Sequence, residues 1–108
     1  MIVCTLVLTL SAVERRKVIA SLLPLLGSTR VQPGCGACSL LSDVESSDTL
    51  VLREEWDSPE HLERHLASEE YRLILAAIDL SRDEPQIHFD TVATRSGLDA
   101  IEAARMPR

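Results

Sequence analysis

Hydrophobic and polar residues alternate from the first positions of the chain. Ile2, Cys4, Leu6, Leu8 and Leu10 fall on one side, and Val3, Thr5, Val7 and Thr9 on the other. A period of two with many β-branched residues predicts a strand. One of its faces is fully apolar and the other semi-apolar, so both need cover. The period then changes at Ser11-Ala12-Val13-Glu14, which reads as a capping box. Val18, Ile19, Leu22, Leu23 and Leu26 follow at spacings of three and four, opposite Glu14, Arg15 and Lys17. Pro24 cannot donate to the carbonyl of Ala20, so this helix is expected to kink or stop there. Its firm part is placed at 12–23, with a continuation towards Thr29.

Gln32-Pro33-Gly34 carries a turn signal, and a second strand is expected from Cys35 to Leu41. The polar run Asp43–Asp48 makes a hairpin loop before a third strand, Thr49 to Trp56. In that strand Leu50, Leu52, Glu54 and Trp56 share one face, and Val51, Arg53 and Glu55 the other. Asp57-Ser58-Pro59-Glu60 then starts a helix: a capping oxygen, proline at the first helical position, and an acid at the positive end of the dipole. Leu62 and Leu66 form its apolar stripe. Ser68-Glu69-Glu70 reads as a fresh cap, after which Leu73, Ile74, Ala77, Ile78 and Leu80 line a second helical segment. A fourth strand is expected from Gln86 to Ala93 with Ile87 and Phe89 inward. The tail beyond Gly97 has helical propensity but is too short to hold a helix without docking.

The order β-α-β-β-α-β is a split βαβ unit, an α+β domain of the ferredoxin-like type with a four-stranded antiparallel sheet and both helices on one face. Residues 1–95 form the domain and residues 96–108 an added tail. The open sheet face would leave apolar surface uncovered in a monomer. Face-to-face pairing of two sheets about a two-fold axis removes it, which predicts a homodimer.

Composition narrows the function. The chain has 108 residues, a length suited to one domain with a modest core. Aromatic residues make up 3%, namely Trp56, Tyr71 and Phe89, so the core must be aliphatic. The net charge of −6 argues against nucleic acid and against an anionic membrane surface as partners. No stretch has the length of a membrane span. The apolar start lacks a basic region and a small-residue cleavage site, so a cytoplasmic location is expected. Three cysteines, an odd number, do not suggest a disulfide framework.

The segment Glu54-Glu55-Trp56-Asp57-Ser58-Pro59-Glu60-His61-Leu62-Glu63-Arg64-His65-Leu66-Ala67-Ser68, with Pro33-Gly34-Cys35 before the second strand, resembles the antibiotic biosynthesis monooxygenase family. The family's pattern is Glu-x-Trp, a short turn, then His-Leu-x-Ser. The resemblance covers about residues 1 to 93 and implies a dimeric α+β barrel. It also implies monooxygenase chemistry on a quinol or phenol-like small molecule without a cofactor. There the deprotonated substrate itself supplies an electron to O₂, and the protein provides a dry pocket, a proton acceptor and orientation. The chain departs from the family in having no Asn, in carrying Cys38 where many members have Tyr, and in carrying Glu70 where a His is common. Leu73, Ile74 and Leu75 offer no axial ligand, which speaks against haem.

Five features are candidates for chemistry. His65, near the edge of the apolar stripe, could be a catalytic base, or a structural histidine bonded to a backbone group near the helix break. Trp56 could stack on a planar substrate or anchor the strand to the next helix. Tyr71 and Arg72 open the second helical segment as candidate substrate contacts. Arg72 could polarise an oxyanion, or simply pair with Glu69. His61 and His65, at i and i+4, make half a zinc site that no acid cluster completes, so no metal is expected. Cys35-Gly36-Ala37-Cys38 has redox spacing but opens a strand rather than a helix. Two further readings therefore stay beside the monooxygenase: a non-catalytic small-molecule-binding or stress-associated dimer, and a thiol redox protein using Cys35 and Cys38.

Overall fold

A computed structural model describes residues 1–107. The elements run β1 (Ile2–Thr9), α1 (Ala12–Arg30), β2 (Cys35–Ser42), β3 (Thr49–Trp56), α2 (Pro59–Leu66), α3 (Tyr71–Asp79), β4 (Gln86–Thr91) and α4 (Leu98–Arg105). The sheet has the order β2-β3-β1-β4, antiparallel throughout. This is the ferredoxin-like α+β arrangement expected from the element order, with α4 added.

Register arranges the buried face into rows across the sheet. Leu40, Leu52, Leu6 and Ile87 make one row, and Cys38, Glu54, Cys4 and Phe89 make the next. In the third, Cys35 and Ile2 flank Trp56. The alternation in β1 and β3 is realised without a slip: every second residue is buried and its neighbours are half-buried. α1 covers the aliphatic rows with Val18, Leu22, Leu25 and Leu26, and α3 adds Tyr71, Ile74 and Ala77. Each fully buried leucine or isoleucine contributes about 1.5–3 kcal/mol from leaving water.

Helix α1 does not stop at Pro24. It runs on to Arg30, because Leu25, Leu26 and Thr29 beyond the proline are all buried against the sheet while Pro24 itself is exposed. Packing of the last turn offsets one missing hydrogen bond. At the start of α1, Ser11 Oγ accepts from the backbone N–H of Glu14 at 3.2 Å. The return half of the capping box is not made, and Glu14 Oε2 has no hydrogen-bond partner among the described residues.

The break between α2 and α3 falls where expected, but Ser68 does not cap α3. Its hydroxyl donates to the carbonyl of His65 at 2.7 Å, closing the end of α2. Leu73 and Leu80 point outward, and the buried stripe of α3 is Tyr71, Ile74 and Ala77. Strand β4 ends at Thr91, two residues earlier than predicted. Its Ile87 and Phe89 do share the helix-side face, yet they are 40% and 46% exposed. β4 lies at the sheet edge, where the helices no longer reach.

Tail helix α4 forms with no buried side chain among the described residues. The radius of gyration is 16.1 Å and the longest extent 53 Å. A compact chain of this length would have a radius near 13 Å. The tail extends away from the body.

Candidate functional site

Glu54 is the one charged side chain on the buried face of β3, with Leu50, Leu52 and Trp56 as its companions. It is 4% exposed, and His65 from α2 is 1% exposed above it. His65 Nε2 lies 3.0 Å from Glu54 Oε2. The other carboxylate oxygen, Oε1, accepts from Trp56 Nε1–H at 3.2 Å. Cys38, beside Glu54 in the same row, places its thiol 3.9 Å from Oε2 as a weak donor. The carboxyl group is thus fully provided with partners, which a buried charge requires.

The imidazole is fixed as closely. Gln32, in the turn after α1, brings its Oε1 to 3.0 Å from His65 Nδ1. The Trp56 indole stacks on the ring with centroids 4.6 Å apart and planes 28° from parallel. Tyr71 meets it edge-on at 5.3 Å and 85°. Burial and the negative charge of Glu54 push the Tyr71 hydroxyl up to about 12. The structure therefore gathers His65, Trp56 and Tyr71 into one cluster, and adds Glu54 and Gln32, which sequence reasoning did not single out. His65 does not bond a backbone group through its ring; both ring nitrogens meet side chains.

Arg72 is not part of this cluster. It is exposed and pairs with Glu69 at 2.8 Å. Glu69, Glu70, Arg72 and Leu73 line an open surface depression of about 510 Å³ that does not extend to the Glu54–His65 pair. His61 also points away from His65: its Nδ1 lies 2.7 Å from Asp57 Oδ1 and 3.2 Å from the Ser58 hydroxyl. Among the described residues no group of three or more His, Cys, Asp and Glu side chains is placed to hold a metal ion. Nor is any described helix long and apolar enough to cross a membrane.

Cys4, Cys35 and Cys38 are free thiols. Burial, with the Glu54 charge added, pushes Cys4 and Cys38 up to about 12 and raises Cys35 as well. That is the reverse of the lowered value that a redox-active or nucleophilic cysteine needs.

The turn that carries Gln32 depends on Gly34, whose φ of 84° is readily available to glycine alone. A Cβ there would fall on the His61 ring and the Asp57 carboxylate. Asp57 N–H donates to the Gly34 carbonyl at 2.9 Å, tying this turn to the start of α2. The turn that carries Gln32 and the helix that carries His65 are thereby tied together.

Comparison with known proteins agrees with this architecture. The family model of the antibiotic biosynthesis monooxygenases matches residues 1–77. No curated protein matches the chain. Among solved structures, an antibiotic biosynthesis monooxygenase superposes with a TM-score of 0.77 at 22% identity, covering 87% of this chain and 100% of that one. A candidate member from Deinococcus radiodurans gives 0.81 at 20% identity, covering 91% and 98%. Another candidate member, from Caulobacter crescentus, gives 0.76 at 17%, covering 86% and 90%. At such identities the structural matches speak for the fold. With the family model covering most of the chain, they place it in the antibiotic biosynthesis monooxygenase family.

Proposed function

We propose that this chain is a cofactor-independent monooxygenase that oxidises a quinol or phenol-like small molecule, with the Glu54–His65 pair as its base. The observation that carries this reading is the buried, fully hydrogen-bonded contact between the two side chains. Core packing alone does not call for it, because a buried ion pair is at best a weak source of stability relative to apolar residues of similar size. Titratable groups held in this way are candidates for function.

The chemistry follows from the cluster. With its shared proton released to water, the pair carries one negative charge in a dry site, takes a proton from a substrate hydroxyl, and returns it to the peroxide oxygen that departs as water. The resulting phenolate-type anion is electron-rich enough to reduce O₂ by one electron. The two radicals combine at a ring carbon, and the peroxide formed loses water. In the balance, a quinol and O₂ give a hydroxyquinone and H₂O. One oxygen atom enters the ring, the other leaves as water, and the ring supplies all four electrons. Trp56 and Tyr71 hold the imidazole plane, and exclusion of water strengthens each electrostatic contact. Phe89 and Ile87 offer uncovered apolar surface beside Cys4 and Leu6 on the same sheet face, suited to a flat ring.

The working unit in this reading is a homodimer, since the β1 and β3 residues on the sheet face opposite the helices are left only half-buried by the described chain. Free thiols suit a reducing compartment such as the cytoplasm. Arg72 has no role in it. A purely binding barrel would be favoured by an all-apolar space under the helices, and the Glu54–His65 pair departs from that.

The test is O₂ uptake by metal-free protein against a panel of quinols and polycyclic phenols. Uptake is expected for at least one compound, with a loss of roughly 10²-fold or more in His65→Ala. Uptake no faster than in that variant across the panel removes the catalytic role.

A further inference from the structure

The contacts of His65 continue beyond Glu54 to the surface. Gln32 Nε2 lies 3.3 Å from Glu70 Oε2, and the Ser28 hydroxyl reaches the same oxygen at 3.4 Å. Glu70 is exposed, and an ionised carboxylate only accepts hydrogen bonds. The edge of the Gln32 amide that faces it must therefore be the NH₂, which leaves the carbonyl facing His65. A carbonyl also only accepts, so Nδ1 of His65 must carry a proton.

That fixes what the other nitrogen can do. At 3.0 Å, Nε2 and Glu54 Oε2 need one proton between them. It sits either on nitrogen, as imidazolium facing carboxylate, or on oxygen, as carboxylic acid facing imidazole. Without it, a lone pair faces a carboxylate, and that repulsion makes the empty pair avid for a proton. Among the described residues Gln32 Oε1 is the hydrogen-bond partner of Nδ1. Cys38 and Cys4 on the sheet stay protonated thiols, and Tyr71 from α3 meets the ring by its edge.

We propose that Gln32, oriented by Glu70, is a positioning residue that locks His65 in its Nδ1–H form and so makes Nε2 the nitrogen through which the Glu54 pair takes up and releases a proton. Its kinetic consequence rests on the reading of that pair as the reaction's base; the tautomer itself does not. An amide does not pass a proton on readily, so Gln32 sets the form of the ring and is not a conduit. The tautomer of a functional histidine is set by the partner of its second nitrogen. Here that partner is itself aligned by a third group, 38 residues away in sequence from Gln32.

The experiment is ¹⁵N NMR of the imidazole nitrogens in the full-length protein, with His65 assigned by its loss in His65→Gln. The wild type is expected to show a protonated Nδ1. Gln32→Leu removes the acceptor and is expected to shift His65 towards the Nε2–H form, while Gln32→Glu, which can still accept, restores Nδ1–H. Glu70→Gln, an exposed change with little risk to folding, lets the Gln32 amide turn over and is expected to give both forms. In O₂ uptake, Gln32→Leu should lower kcat at least about tenfold with KM little changed, out of the 10²–10⁴ a positioned base contributes. An unprotonated Nδ1 in the wild type, or the same nitrogen signals in wild type, Gln32→Leu and Glu70→Gln, overturns the proposal. If the nitrogen signals follow expectation while no quinol is consumed, the positioning stands and the base reading falls.

Discussion

Glu54 and His65 come from different elements, β3 and α2, and meet at 3.0 Å with both side chains buried. Removing either partner leaves the other buried and unpaired. We expect Glu54→Leu and His65→Leu each to cost about 3–5 kcal/mol of unfolding free energy. The double variant should lose less than the sum of the two, by a coupling of about 0.5–3 kcal/mol. Urea unfolding of the four proteins measures it, and simple additivity would show that the contact has no energetic reality.

How much of this pair the sequence revealed depends on the kind of signal. The parity of β3 puts Glu54 on the face of Leu50, Leu52 and Trp56, and an acid on an otherwise apolar face is a legible anomaly. His65 was legible from its place at the edge of the α2 stripe. Gln32 was not: it lies in a turn without periodicity, and its contact with His65 spans 33 residues. The order of elements along the chain followed from local pattern, whereas the exposure of Ile87 and Phe89 did not. Alternation assigns a face, but edge position depends on how far the helices reach across the sheet. The continuation of α1 past Pro24 was likewise decided by tertiary packing of Leu25, Leu26 and Thr29.

Alkaline pH should weaken the fold. Cys4, Cys38 and Tyr71 are pushed up to about 12 in the folded protein, by burial and by Glu54. The ordinary values of these groups are 9.0 for the thiols and 10.0 for the phenol. Between the two sets of values the unfolded chain has released protons that the folded one keeps. The stabilisation is thus complete below pH 9 and declines as pH rises towards 12. Unfolding free energies measured in reducing buffer should fall over that range, and a flat profile would contradict the assigned burial.

Gly34→Ala should be costly for so small a change. The left-handed backbone at φ 84° costs about 1–2 kcal/mol for a residue with a Cβ. Displacement of His61 and Asp57 adds to it. A loss of more than about 1 kcal/mol, near 4–8 °C in Tm for a small domain, is expected in thermal unfolding.

The tail makes the opposite case. With no buried side chain in α4, removal of the chain from Gly97 onward should change the unfolding free energy by no more than about 0.5 kcal/mol. Arg95, which holds Glu55 at 2.5 Å, remains in that shortened chain. A larger loss, measured by urea unfolding at equal protein concentration, would mean that α4 is docked in solution.

The most direct test of the Glu54–His65 pair as a working unit is the rate of quinol-dependent O₂ uptake in wild type, Glu54→Gln, His65→Gln and the double variant. Groups that act together are lost together, so each single change should reduce kcat about as far as the double change does. Independent, multiplicative losses, or single variants that turn over at the wild-type rate, would contradict a shared proton at this contact as the basis of the activity.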